Sequence, residues 1–140
     1  MKHLLLILAF TIFSLASNPF DTLTQSHTPK SRSFRAKFYN AYQAAVKGNI
    51  NAQFDVAMMY GTGSNVEKNE RKAFNWLHKA AYNGHVEAKY LMGVSFKQGT
   101  GVRVQKELAR YWFRKAAKAG HTKALLQLAE LTRGVSIQKN

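Results

Sequence analysis

The chain has 140 residues, enough for one domain, and its apolar fraction of 46 % is ordinary for a protein with a packed core. Its 21 basic against 7 acidic residues give a formal net charge of +14, which selects for polyanions and acidic surfaces over a range of about 8 Å at physiological salt. The lack of cysteine excludes disulfides, a thiol nucleophile, a lipid-modified N-terminal cysteine and thiolate metal sites.

In residues 1–16, Lys2 and His3 form a basic start and Leu4 to Phe13 an apolar run broken only by Thr11. Ser14-Leu15-Ala16 then places small residues where a signal peptidase cuts. The run is shorter than the about 20 apolar residues of a membrane span. The expectation is a signal peptide cleaved after about Ala16, and export to the periplasm or beyond it. Residues 17–33 are rich in Ser, Thr and Pro and read as a flexible leader.

From Phe34 the pattern is helical and recurs every 36 residues. Gly48, Gly84 and Gly120 keep that interval, as do Ala44-Ala45, Ala80-Ala81 and Ala116-Ala117; Trp76 matches Trp112 and Gly63 matches Gly99. A period in the range of about 20 to 50 residues denotes one supersecondary unit stacked on copies of itself. The half-unit 34–51 comes first, with a helix to about Lys47. The repeat 52–87 follows, with helices near Asn51–Tyr60 and Asn69–Asn83 around a turn at Gly61–Asn65. The repeat 88–123 copies it, with helices near Val86–Lys97 and Gln105–Ala119 around Gly99–Gly101. A half-unit, 124–133, and a polar tail, 134–140, complete the chain.

This is an all-α solenoid of about six helices: two full hairpins flanked by half-repeats. Gly84 and Gly120 stop helices where a left-handed residue is wanted. Asn65 stands where the next repeat has Gly101, and asparagine is the side chain most tolerant of positive φ. Ala80 and Ala116 let helices approach closely while one indole per unit fills the wedge, so a large residue at either alanine should cost about 1–3 kcal/mol.

The second unit reads Gly99-Thr100-Gly101-Val102 and then Ala109-Arg110-Tyr111-Trp112-Phe113-Arg114-Lys115-Ala116-Ala117-Lys118-Ala119-Gly120. The first reads Gly61-Thr62-Gly63-Ser64-Asn65-Val66 and then Lys72-Ala73-Phe74-Asn75-Trp76-Leu77-His78-Lys79-Ala80-Ala81-Tyr82-Asn83-Gly84. Over residues 34–133 this resembles the Sel-one-like repeat family, a relative of the tetratricopeptide repeat. The family pattern is G-x-G-V-x-x-D followed by K-A-x-x-W-Y-x-K-A-A-x-x-G. Its Asp before the second helix is replaced by Asn69 and Gln105; Asn is a good N-cap and Gln a poor one. The resemblance implies an α-solenoid and an adaptor role in signalling, secretion, envelope assembly or host interaction.

Equivalent positions suggest where binding sits. At four-residue steps the second helices carry Phe34, Phe38, Tyr42 and Val46, then Glu70, Phe74, His78 and Tyr82, then Lys106, Arg110, Arg114 and Lys118. The row passes from aromatic to cationic, and Arg103, Lys115 and Lys123 add charge at the same end. One reading is an anion-binding ridge (Lys106, Arg110, Arg114, Lys118, Arg103) beside an aromatic groove (Phe38, Tyr42, Phe74, His78, Tyr82). The other is a solvated face with aromatics that cap the array.

His85 and His121 are equivalent, but packed helices lie about 8–10 Å apart. That is too far for two rings to share one zinc at about 2.0–2.1 Å, so both read as loop histidines without a metal. The acidic residues Asp21, Asp55, Glu67, Glu70, Glu87, Glu107 and Glu130 are scattered, with no pair suited to acid–base catalysis. No phosphate loop or nucleophile elbow occurs. The expected function is an exported, non-enzymatic adaptor without cofactor or metal, neutralising or scaffolding an acidic protein partner as an immunity factor for a secreted toxin would. The alternatives are a binder of an anionic polymer (wall glycan, lipid headgroup or DNA) and a cell-wall hydrolase.

Overall fold

The second helix of each unit stops, and the first helix of the next one starts, with the same hydrogen bonds. The computed structural model describes residues 29–136, and within them six helices and no strand. These are α1 Pro29–Val46, α2 Ile50–Thr62, α3 Glu70–Tyr82, α4 Val86–Gln98, α5 Lys106–Lys118 and α6 Thr122–Ser136. The expected signal peptide, residues 17–28 and residues 137–140 lie outside the described residues. Helix α1 begins ahead of the expected start at Phe34. Pro29 takes its first position, where the missing N–H is no loss. Helix α6 continues past the expected end at Arg133.

The stop after α3 is a Schellman motif: Gly84 N donates to Ala81 O at 3.2 Å and His85 N to Ala80 O at 2.9 Å. Gly84 sits at φ +109°, which a side chain would resist. The same pair of bonds closes α1, through Gly48 and Asn49, and α5, through Gly120 and His121. Each stop then serves as the next start. Asn49 Oδ1 accepts from Ala52 N at 2.9 Å, His85 Nδ1 from Ala88 N at 3.2 Å and His121 Nδ1 from Ala124 N at 3.3 Å.

The turns inside the hairpins are also copies. Asn69 N donates to Tyr60 O at 2.8 Å, and Gln105 N to Phe96 O at 2.9 Å. Asn65 is the one side-chain-bearing residue at positive φ among the described residues, +64° against +70° for Gly101. A Cβ at Gly101 would collide with the carbonyl oxygen of Glu70, so this turn packs directly on the start of α3. Asn69 caps α3 through its side chain, accepting from Lys72 N at 2.9 Å; Gln105 has nearly the same backbone angles and makes no such bond.

Helices α2 with α3 and α4 with α5 form hairpins, and α3 packs on α4 and α5 on α6. Val56, Met92 and Phe113 are fully buried between them, and Ala80 and Ala116 have no exposed surface. The two indoles occupy equivalent settings, each 9 % exposed. Gln53 pins the first joint: its Nε2 donates to Ala45 O at 3.2 Å and its Oε1 accepts from Asn83 Nδ2 at 2.8 Å. The fold is an all-α solenoid, as expected.

Candidate interaction surface

The aromatic row of the second helices forms the joint between units, and that joint leaves two grooves. Phe38 meets Tyr60 edge-on at 5.3 Å, and Phe74 meets Phe96 edge-on at 5.4 Å. One turn further along, Tyr42 lies edge-on to Trp76 at 5.3 Å and His78 to Trp112 at 5.9 Å. Each pair repeats after 36 residues because each second helix offers the same face to the next unit.

The first groove, about 690 Å³, includes Tyr42, Tyr60, Lys72, Asn75, Trp76 and Lys79 in its walls. The second, about 510 Å³, has at the equivalent positions His78, Phe96, Leu108, Tyr111, Trp112 and Lys115. His78 lines both, so the grooves adjoin. Lysine ammoniums stand over aromatic rings along them: Lys79 over Trp76 at 4.3 Å, Lys115 over Tyr111 at 5.2 Å and Lys72 over Tyr60 at 5.4 Å. No carboxylate lines either groove.

The expected site residues divide accordingly. Phe74, Tyr42, His78 and Tyr82 line the grooves, with Tyr82 79 % exposed in the second. Phe38 is half-buried and packs on Tyr60 and Tyr42. Of the cationic row, Lys106, Arg114 and Lys118 are exposed on α5, and Arg103 is exposed in the preceding turn. Arg110 is half-buried: Nη1 donates to Glu107 Oε1 at 2.9 Å and Nη2 to Leu131 O at 3.0 Å. It takes the place of Phe38 and Phe74 in the joint and holds a carbonyl of α6 (cations suit a helix C-terminal half). Charge reversal at Arg110 would therefore unseat α6 as well as alter the surface.

Sequence reasoning assigned the tryptophans to the wedge alone and passed over Lys72, Lys79 and Lys115 as groove residues. The signal was present, since Lys79 and Lys115 keep the 36-residue interval beside the indoles. The two equivalent histidines act as helix caps through Nδ1, which requires that nitrogen to be unprotonated. His85 stacks on Phe54 and His121 on Tyr90, both at 4.2 Å. Burial lowers the pKa of His85, against smaller opposing pulls from the Glu87 and Asp55 charges. His121 Nε2 lies 2.9 Å from Glu87 Oε2.

A family profile described as Sel1 repeat matches residues 50–85 and 86–121. These copies keep the expected period and begin two residues earlier than expected, at the first helix of each hairpin. Among solved structures, the chain is similar to a Sel1 repeat protein from Oxalobacter formigenes, at 36 % identity and TM-score 0.63, over 64 % of this chain and 68 % of that one. It is similar to c5321, a protective antigen of uropathogenic Escherichia coli with an SLR fold, at 27 % identity and TM-score 0.66, over 79 % of this chain but 27 % of that one. Helicobacter pylori cysteine-rich protein B matches at 25 % identity and TM-score 0.61, over 63 % of this chain and 66 % of that one. A comparison with curated proteins found no match. Two consecutive repeats spanning half the sequence, folded as an α-solenoid with recurrent joints, show that the chain belongs to the Sel1 repeat family of protein-interaction scaffolds.

Proposed function

We propose that this protein is an exported adaptor that binds an acidic partner protein in the bacterial envelope or outside the cell. The observation that carries this reading is the pair of equivalent grooves lined by aromatic rings and lysines. A surface repeated unit by unit suits an extended partner, and a basic one suits an acidic partner. The apolar run at residues 4–13 supports export, and the similarity to a protective antigen fits a protein that acts beyond the cytoplasm. Among the described residues no helix is long and apolar enough to cross a membrane.

Several carboxylates are already paired: Glu87 with His121 and Glu130 with Lys97 at 3.3 Å between elements, and Glu107 with Arg110 within α5. Binding is the better-supported role.

The test uses the chain without residues 1–16 as bait in envelope extract, at low and at high salt. We expect a discrete acidic protein that saturates the bait, co-elutes with it as a complex and survives moderate salt. Retention of DNA or glycan alone, with affinity falling linearly on log–log axes of salt, would assign the protein to polymer binding instead. Turnover of wall material, abolished by a single substitution, would make it a hydrolase.

A further inference from the structure

We propose that the second groove anchors an aromatic side chain of the acidic partner protein, with carboxylates on the residues that flank it. This rests on the adaptor reading and adds the kind of residue the surface selects. The two grooves are equivalent in place and differ in chemistry. Along α3 the first presents Lys72, Asn75, Trp76 and Lys79, one helix face at steps of three and four. The same face of α5 in the second reads Leu108, Tyr111, Trp112 and Lys115. An aliphatic side chain and a phenol ring stand where the first groove has an ammonium and an amide.

The exchange builds a wall of rings. Tyr82, His78, Trp112 and Tyr111 follow one another with centroids 6.5, 5.9 and 5.5 Å apart. In the first unit Val46 and Asn75 hold the positions of Tyr82 and Tyr111, and the wall is missing. Tyr82 is 79 % exposed, Tyr111 45 % and Leu108 38 %, and all three line the second groove. Large apolar side chains gathered in one exposed concavity mark a contact surface. Rings pack well on rings, edge-on or offset, and an aromatic side chain brings about 150–250 Å² of surface to bury.

Charge then sets the neighbours of that ring. Lys89 and Lys115 line the groove, and no carboxylate does. Lys115 stands over the Tyr111 ring at 5.2 Å, where its ammonium still has N–H donors for an incoming carboxylate. An apolar ligand alone would leave both ammoniums without a counter-charge. A polyanion without rings would meet the lysines and leave the wall in water. An aromatic residue between acidic ones satisfies both.

The chain has two indole N–H groups, one in each groove, and Trp76→Phe assigns their nuclear magnetic resonance signals. The experiment titrates the chain lacking residues 1–16 with the peptides Glu-Glu-Phe-Glu-Glu, Glu-Glu-Ala-Glu-Glu and Lys-Lys-Phe-Lys-Lys, with sodium laurate and with a heparin oligosaccharide. We expect the acidic phenylalanine peptide to shift the Trp112 signal more than the Trp76 signal. It should bind at least about tenfold tighter than either other peptide, as a central aromatic anchor does. Leu108→Lys with Tyr111→Asn gives the second groove the residues of the first and should cut the preference for phenylalanine over alanine to less than about threefold. Lys89→Gln with Lys115→Gln should weaken both acidic peptides and keep that preference. The exchanged side chains are exposed, and circular dichroism checks that each variant keeps its helices.

Equal binding of the phenylalanine and alanine peptides by the parent chain overturns the proposal without recourse to any variant. So does a preference that survives Leu108→Lys with Tyr111→Asn, or a Trp112 shift produced by laurate or heparin and not by the phenylalanine peptide. An acidic protein captured from extract equally well by that double variant would sink this inference and leave the adaptor reading standing. The expected peptide preference with no protein captured would support the groove chemistry and contradict the adaptor reading.

Discussion

Gly93 and Phe113 fill together the space that Ala57 and Leu77 fill one unit earlier. A Cβ on Gly93 would come within 2.5–2.9 Å of three Phe113 ring atoms, and Phe113 is fully buried. The smaller residue on α4 compensates the larger one on α5, so each hairpin keeps its volume with a different pair. Gly93→Ala should cost about 1–3 kcal/mol in urea unfolding, through overpacking. Adding Phe113→Leu recreates the pair of the first unit and should restore most of that loss, a coupling of about 0.5–3 kcal/mol for residues in contact. Strictly additive effects would show that the two side chains do not share the space. Comparison of repeats made Asn65 readable as a positive-φ residue from the sequence alone, because Gly101 is its counterpart. The Gly93–Phe113 exchange escaped because it joins two helices, and no spacing along one helix reports what its partner presents.

At the level of helices, the stop glycines and their intervals predicted the ends of α3, α4 and α5 to within about a residue, and the poor capping by Gln105 was expected from its chemistry. The start of α4 at Val86 was read correctly as well, but what caps α4 and α6 was not. Asn49 is an ordinary cap, but its counterparts are histidines, whose capping depends on an unprotonated Nδ1 and so on packing against Phe54 and Tyr90. A pH effect follows. The pKa of folded His85 lies below the ordinary 6.5. Between the folded and unfolded values the unfolded chain binds more protons, so stability rises with pH there. The contribution of the cap is complete above about 6.5 and declines as pH falls through the folded value. Urea midpoints at pH 7.5 and 5.0 should show an acid-dependent loss in the parent chain. His85→Asn caps without titrating and should lose less; an equal loss in this variant would rule out the cap as its source.

For the whole molecule, the 36-residue interval contains the architecture in one dimension: alanines for close approach, an indole for the wedge, and glycines at the stops. Surface chemistry was less readable, for a specific reason. The cationic row on α5 looked like a continuous ridge, yet Arg110 bends across the joint to Glu107 and Leu131. Long side chains reach beyond their own helix, and a row drawn along that helix cannot show where they end. The grooves were half-readable, since Tyr42, Phe74, His78 and Tyr82 were named from their positions and the lysines beside the indoles were not. Both the fold and the grooves depend on the joints being true copies. A nuclear Overhauser spectrum of the chain lacking residues 1–16 tests this most directly. It should show ring contacts from Tyr42 to the Trp76 indole and from His78 to the Trp112 indole, with similar intensity. Absence of either contact, or two indoles with unrelated neighbours, would contradict the account.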